Sequence, residues 1–191
     1  MGREQDRREA IAKAQIELKR RPIYLDTETT GLKEYDQIVE IGVIDSDGTV
    51  LLESLVRPTG KIPADVTLIH GITDELVKSA PVWPEIWPQV EAILTERRVA
   101  IYNADFDLRL MQQSHRAHGL LWSAPVNPLC IMKLYAQFRG DWNSRTRAFR
   151  WYSLEDARWQ CHLVLPNSHR ARADALLARA VLEYIAAQKM S

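Results

Sequence analysis

Several things are scarce in this chain, and each scarcity excludes a class of protein. Only two cysteines, Cys130 and Cys161, occur in 191 residues, far apart and without C-x-x-C spacing. That argues against a disulfide framework and fits reduced thiols in a cytoplasmic protein. No stretch approaches the roughly 18 consecutive apolar residues of a membrane span, and the N-terminus is charged where a signal peptide needs an apolar core. The chain is therefore expected to be neither secreted nor membrane-spanning. Neither sign of charge is in excess: 25 Lys and Arg balance 25 Asp and Glu, so any attraction to phosphate must be local. Internal repeats and low-complexity linkers are missing as well. What is left, 46% hydrophobic and 26% charged residues, suits one globular domain with a real core and at most an appendage.

Residues 3–20 mix acids and bases around Ile11, Ala14 and Leu18, a helical spacing. The first 21 residues are read as a leading amphipathic helix, packed on its own domain in preference to serving as a docking or dimerising arm. Residues 22–25 read as a buried strand running into Asp26 and Glu28. Strands are also expected over 37–44 and 50–57, joined by the turn chemistry of Asp45, Ser46, Asp47 and Gly48. Prolines and glycines over 58–79 predict loop and short helix. A helix over 81–96 carries Val82, Ile86, Val90 and Ile93 on one face, with Pro84 and Pro88 delaying or kinking it and Trp83 and Trp87 as packing residues. A short strand at 99–102, a helix over 106–118 closed by Gly119, and helices over 129–138, 153–160 and 170–189 complete an α/β or α+β order with a mixed sheet.

One segment stands apart. Over 139–152, Arg139, Arg145, Arg147 and Arg150 interleave with Trp142, Phe149, Trp151 and Tyr152 against a single acid, Asp141. Alternating stacking surfaces and guanidinium groups suit a single-stranded nucleic-acid track; a surface loop with its aromatics folded inward is the competing reading.

The chemistry gathers around Y-L-D-T-E-T-T-G at 24–31. On an extended chain Asp26 and Glu28 share a face, and two converging carboxylates repel unless a hard cation such as Mg2+ or Mn2+ stands between them. A solvated strand end would explain D-x-E alone. Asp107 lies where a strand hands over to a helix, in N-A-D-F-D, with Asp105 an alternative on spacing. Asp174 opens the last helix and His169 precedes it by five. Helix neighbours are three or four apart, so the two share a site only if His169 lies on the loop begun by Pro166 and Asn167. A histidine there suits a general base, since an ordinary imidazole titrates near pH ~6.5; alone, it reads as a surface histidine.

D-T-E-T-T-G at 26–31, H-G-I-T at 70–73, N-A-D-F-D at 103–107 and H-x-x-x-x-D at 169–174 occur in this order. Together they resemble the DEDD-type 3′-to-5′ exonucleases of the histidine subclass, a group that includes the proofreading subunit of bacterial DNA polymerase III and ribonuclease T. The resemblance covers 22–187 and implies an exonuclease domain over 22–191 with a ribonuclease H-like mixed β-sheet flanked by α-helices. It implies two Mg2+ or Mn2+ ions held by Asp26, Glu28, Asp107 and Asp174, Asp26 being shared, with His169 as general base in a two-metal hydrolysis. It also places Thr27, Asp65 and His70 at the terminal nucleotide, and chooses Asp107 over Asp105. Tyr102 departs from the histidine the family often has there. Arg170 stands where the sister subclass has a tyrosine, which excludes that subclass.

The implied activity is release of nucleoside 5′-monophosphates from the 3′ end of single-stranded nucleic acid, with DNA ahead of RNA. A non-catalytic nucleic-acid-binding or polymerase-associated module on the same fold is the alternative. Expected partners are a DNA or RNA 3′ end, and beyond it a second copy of the chain or a polymerase or repair protein. The polymerase reading would need a docking segment, for which the leading helix is the candidate.

Overall fold

The structure, a computed structural model, describes residues 3–95, 97–123, 126–166 and 168–189. The expectations that touch residues 1, 2, 96, 167, 190 and 191 lie outside the described residues. Helix α1 (Arg3–Lys19) opens the chain. Strands β1 (Ile23–Thr29), β2 (Ile38–Ile44) and β3 (Val50–Leu55) follow as an antiparallel run. The β2–β3 turn closes on Asp45, whose N–H donates to the Thr49 carbonyl at 2.8 Å while its own carbonyl accepts from Gly48. Gly48 has φ of 92°, open to glycine at no steric cost.

Helices α2 (Ala64–His70) and α3 (Asp74–Val77) wrap the end of this run, α3 capped by the Thr73 hydroxyl. Helix α4 (Trp83–Leu94) begins with Pro84 in its first turn, where a missing N–H costs nothing. Strand β4 (Arg98–Ile101) leads into α5 (Ala104–Ala117), and β5 (Asn127–Cys130) into α6 (Ile131–Arg139). The short strands β6 (Trp142–Asn143) and β7 (Ala148–Phe149) pair as a hairpin, and α7 (Leu154–Gln160) and α8 (Ala171–Ala186) finish the chain.

The five-stranded sheet has the order β3-β2-β1-β4-β5 and is mixed, since β4 and β5 run parallel to β1. Its pleat sorts the chain into two cores. Ile23 and Leu25 face α4 and α5, together with Val43, Ile101, Trp83, Val90 and Leu110. Tyr24 faces the other way, into a layer built by α1, α6 and α8. Ala10, Ile11 and Ala14 of α1 are fully buried in that layer, so the leading helix contributes to the main core. Trp83 and Trp87 pack edge-on against His115, in keeping with a packing role.

One expectation is corrected. The helix expected over 129–138 starts only at Ile131, because Leu129 and Cys130 belong to β5, an edge strand whose Pro128 lacks the N–H that a central position would demand. Within 139–152, expected as a nucleic-acid track or a surface loop, two short strands pair as a hairpin that had not been anticipated.

Candidate active site

The same pleat decides which acids meet. Asp26 and Glu28 share the parity of Tyr24 and point toward α8, while Thr27 shares that of Leu25 and points toward α5. Accordingly Asp26, Glu28 and Asp174 offer carboxylate oxygens that all lie within 4.8 Å of one another. Three oxygen donors at such spacing form a set suited to a hard divalent cation. Asp107, from α5, falls outside this triad but stands near enough to raise Asp26 by its charge, and its Oδ1 accepts the Thr27 hydroxyl at 2.7 Å.

Asp174 reaches the triad because α8 starts almost in contact with the sheet. A Cβ on Gly42, the register partner of Asp26, would lie 2.5 Å from the Arg172 nitrogen and 2.7 Å from the Ala171 carbonyl carbon. Next to Gly42, the buried Glu40 holds the start of the helix. Its Oε2 accepts from the Ala171 N–H at 2.9 Å, and both its oxygens accept from Arg170 Nε at 3.0 Å. Glu40 lies opposite Glu28 in the β1–β2 ladder, so this clamp also brings a guanidinium beside the triad. His169 precedes the helix with φ of 49°, exposed, off the helical path as the spacing required. Asp174 Oδ1 accepts from the Ser168 N–H at 3.3 Å, which ties the histidine-bearing loop to the carboxylate.

Asp107 is aimed by a sharp turn. Asn103, at φ of 70°, swings the chain from β4 directly into α5, a conformation that asparagine tolerates better than most residues. Asp107 is 2% exposed, whereas Asp105 points outward and pairs with Lys133 at 2.6 Å. Tyr102, at the same turn, donates its hydroxyl to the carbonyls of Tyr152 and Ser153 at 3.0 and 3.1 Å.

Beside the triad lies a groove of about 700 Å³ lined by Thr27, Glu28, Tyr35, Asp65, His70 and Phe106, among others. The structure thus gathers Thr27, Asp65 and His70 around one concavity that opens next to Glu28. Asp65 is exposed at its rim. His70 is buried; its Nδ1 accepts from the Ile72 N–H at 3.0 Å, so the proton sits on Nε2, which donates to the Thr29 carbonyl at 3.2 Å. Burial also holds its pKa below the ordinary imidazole value. A neutral His70 therefore pins α2 to the end of β1. The loop after β1 is folded on Asp36, which accepts from the Thr30 hydroxyl at 2.8 Å and the Lys33 N–H at 2.6 Å.

Burial and the crowding of like charges both make the acids of the site harder to ionise. Burial raises Asp26 well above the usual carboxylate range, and Asp107, Asp174, Glu28 and Glu40 push it further. Glu28 is raised to about 8 by burial and then by Asp174, Glu40 and Asp107, with Arg170 opposing. Burial takes Asp107 to about 7 against the Thr27 hydrogen bond, and Asp174 to about 6 against the pull of His169 and the Ser168 N–H. Such mutual repulsion is relieved by a bound positive charge.

Sequence reasoning missed Glu40, Arg170 as its partner, Gly42 and Phe106. The signal for Glu40 was present: an acid inside the apolar run I-V-E-I-G of a strand that is buried along its whole length needs a partner.

Acids at the end of the central strand of a mixed sheet, with helices on both faces, define a ribonuclease H-like nuclease. Residues 23–182 match the family model described as exonuclease, RNase_T, and the chain belongs to this exonuclease family. It is 41% identical over 170 residues to the uncharacterized exonuclease CP81 of Escherichia phage 186, spanning 86% of this chain and 87% of that protein. It is 30% identical over 154 residues to the DNA polymerase III subunit epsilon of Treponema pallidum, spanning 78% and 69%. Exonuclease X, solved in complex with 5′-overhanging duplex DNA, superposes with a TM-score of 0.64 at 27% identity over 85% of this chain and 89% of that one. The kinship with DEDD-type exonucleases of the histidine subclass holds. Among the described residues no helix is long and apolar enough to cross a membrane.

Proposed function

We propose that this nuclease is a divalent-metal-dependent 3′-to-5′ exonuclease that releases nucleoside 5′-monophosphates from single-stranded ends, DNA ahead of RNA. The observation that carries the proposal is the convergence of Asp26 and Glu28 with Asp174 from a distant helix, backed by Asp107 and overlooked by His169. Asp26, Glu28 and Asp174 would hold one Mg2+ or Mn2+, and Asp26 with Asp107 a second. When bound, such ions acidify water and stabilise charge on the attacking and leaving oxygens.

The protein's own residues supply the rest. His169, exposed on its loop, takes a proton from the attacking water, a role open to an imidazole near neutral pH. The Glu40–Arg170 clamp holds that loop and Asp174 in register. Thr27, Asp65 and His70 border the groove beside Glu28, which accepts the terminal nucleoside with Phe106 as an apolar wall. The preference for DNA is supported by the DNA-bound state of exonuclease X, and a polymerase partner by the relative named as polymerase III subunit epsilon. Both cysteines are free, which supports a cytoplasmic setting.

The decisive experiment follows single-stranded DNA and RNA oligomers of one sequence, labelled at either end, with Mg2+ or Mn2+. Mononucleotides should appear first from the 3′ end, faster from DNA, and Asp26→Ala or Asp174→Ala should abolish their release with the fold intact. Retained release in either variant, or first release from the 5′ end, refutes the assignment. His169→Ala should slow the reaction about a hundredfold or more. Calorimetry should count two Mn2+ per chain, and one in Asp107→Asn.

A further inference from the structure

Away from the carboxylates, the hairpin of β6 and β7 presents a surface that the proposed chemistry does not use. Trp142 pairs with Phe149 and Asn143 with Ala148. The tip is folded on Asn143 Oδ1, which accepts the N–H groups of Arg145 and Thr146 at 3.0 and 3.3 Å. Tyr152 turns inward, 7% exposed, but the two tryptophans do not: Trp142 is 57% and Trp151 58% exposed. Trp142 and Phe149 meet edge to face at 5.1 Å between ring centroids. With Trp151 and Arg150 they line a concavity of about 980 Å³. Scattered exposed aromatics need no account, but two indoles around one hollow do.

Charge indicates what fills it. Four arginines and one acid fall within 139–152 of a chain whose net charge is zero. The acid, Asp141, is already engaged, accepting from Arg3 of α1 at 3.3 Å and from the Tyr152 hydroxyl. Arg145, Arg147 and Arg150 are exposed, and Arg150 also stacks 5.2 Å from the Tyr152 ring centroid. The base of the hairpin is joined to the catalytic side of the sheet, since the Tyr152 carbonyl accepts the hydroxyl of Tyr102, the residue that opens the turn into α5.

We infer that this hairpin is a second contact for single-stranded nucleic acid, with bases stacked on Trp142 and Trp151 and phosphates met by Arg145, Arg147 and Arg150. Stacking on aromatic rings tolerates any base, and guanidinium groups track the backbone. The inference rests on the exonuclease reading for its place in catalysis: the hairpin holds nucleotides upstream of the reacting 3′ end. Its role is to retain long strands between cleavages, while a minimal substrate never reaches it.

The test uses the full chain in two arms. With chelator present, a fluorescein-labelled oligothymidylate of about 20 nucleotides is titrated at several salt concentrations. Replacing Arg145, Arg147 and Arg150 together with alanine should lower the slope of log K against log salt by about two, from a single-strand value of roughly 0.7 per phosphate contact. Trp142→Ala and Trp151→Ala should each weaken binding about tenfold or more, and indole emission of the unaltered chain should fall on binding. In the second arm, with Mn2+, these variants should hydrolyse the p-nitrophenyl ester of thymidine 5′-monophosphate at the unaltered rate while losing rate on the long strand. Unchanged affinity and slope in the triple variant overturn the inference, as does an equal loss on the small ester. A change in the sedimentation of the chain alone, with oligonucleotide affinity untouched, overturns it in favour of a contact between copies. Failure of the unaltered chain to cleave either substrate refutes the exonuclease reading instead, and leaves the chelator arm to decide the hairpin.

Discussion

Glu28, Asp107 and Asp174 are each harder to ionise in the fold than in an open chain, and this gives stability a definite pH dependence. Because their folded pKa values are raised, to about 8, about 7 and about 6, protonation favours the native state. Their contribution is complete below about pH 4 and is lost as pH rises through those values. The metal-free chain is therefore expected to lose several degrees of melting temperature between about pH 5 and pH 8.5. Added Mn2+ should return more at the alkaline end than at the acid end, since it binds the ionised set. Scanning calorimetry across this range, with and without the ion, checks the sign; a metal-free melting point that rises toward pH 8.5 contradicts it. At this scale the sequence was highly legible. Order and spacing pointed to Asp26, Glu28, His169 and Asp174, the family resemblance chose Asp107 over Asp105, and the five-residue gap put His169 off the helix if it was to share a site with Asp174. That Asp107 falls outside the Asp26, Glu28 and Asp174 triad was not legible, because that depends on how α5 meets the sheet. Nor was the pairing of Glu40 with Arg170, two residues 130 positions apart in sequence.

Between elements, the closest tolerance is that between β2 and α8. Gly42→Ala would force a methyl into backbone at 2.5 Å, with no flexible side chain to yield. Overpacking of this kind costs about 1–3 kcal/mol, and the displacement would carry Asp174 away from Asp26. The expected result is a drop in melting temperature together with at least a tenfold loss of Mn2+ affinity by calorimetry. Gly60→Ala, where a Cβ meets nothing within 4 Å, should change neither. Glu40→Gln keeps an acceptor for the Ala171 N–H but removes the charge that holds Arg170. It should weaken Mn2+ binding less than Gly42→Ala does, in the same titration. The order of strands and helices was largely readable from periodicity and turn residues. Besides the β6–β7 hairpin, the exception is β5, which is four residues long and merges into an apolar helix, so nothing in its own residues marks the change from a period of two to one of 3.6.

For the whole molecule, α1 is the telling element, since it was expected to pack on its own domain and its burial makes it a wall of the core. Glu17, 4% exposed, takes both Nε and a terminal nitrogen of Arg98 at 2.8 and 3.0 Å, tying α1 to the start of β4. Arg98→Ala leaves Glu17 with only the more exposed Arg20, at 3.3 Å, and should cost about 1.5–3 kcal/mol in urea unfolding while cleavage at low temperature persists. We propose that residues 22–189 do not fold as an independent unit. A chain lacking α1 should bind a hydrophobic dye and melt without a cooperative transition, because the layer around Val181 and Leu182 loses its cover.

The clamp at the mouth of α8 has one more consequence. Many phosphate-handling proteins cradle their ligand on the vacant amides of a helix start. Here the Ala171 amide is already occupied by Glu40 from inside the protein, and the Ser168 amide by Asp174. An incoming phosphodiester would not find the Ala171 amide open, so under the proposed mechanism charge at the scissile phosphate would fall to bound metal, and stripping the metal should silence turnover.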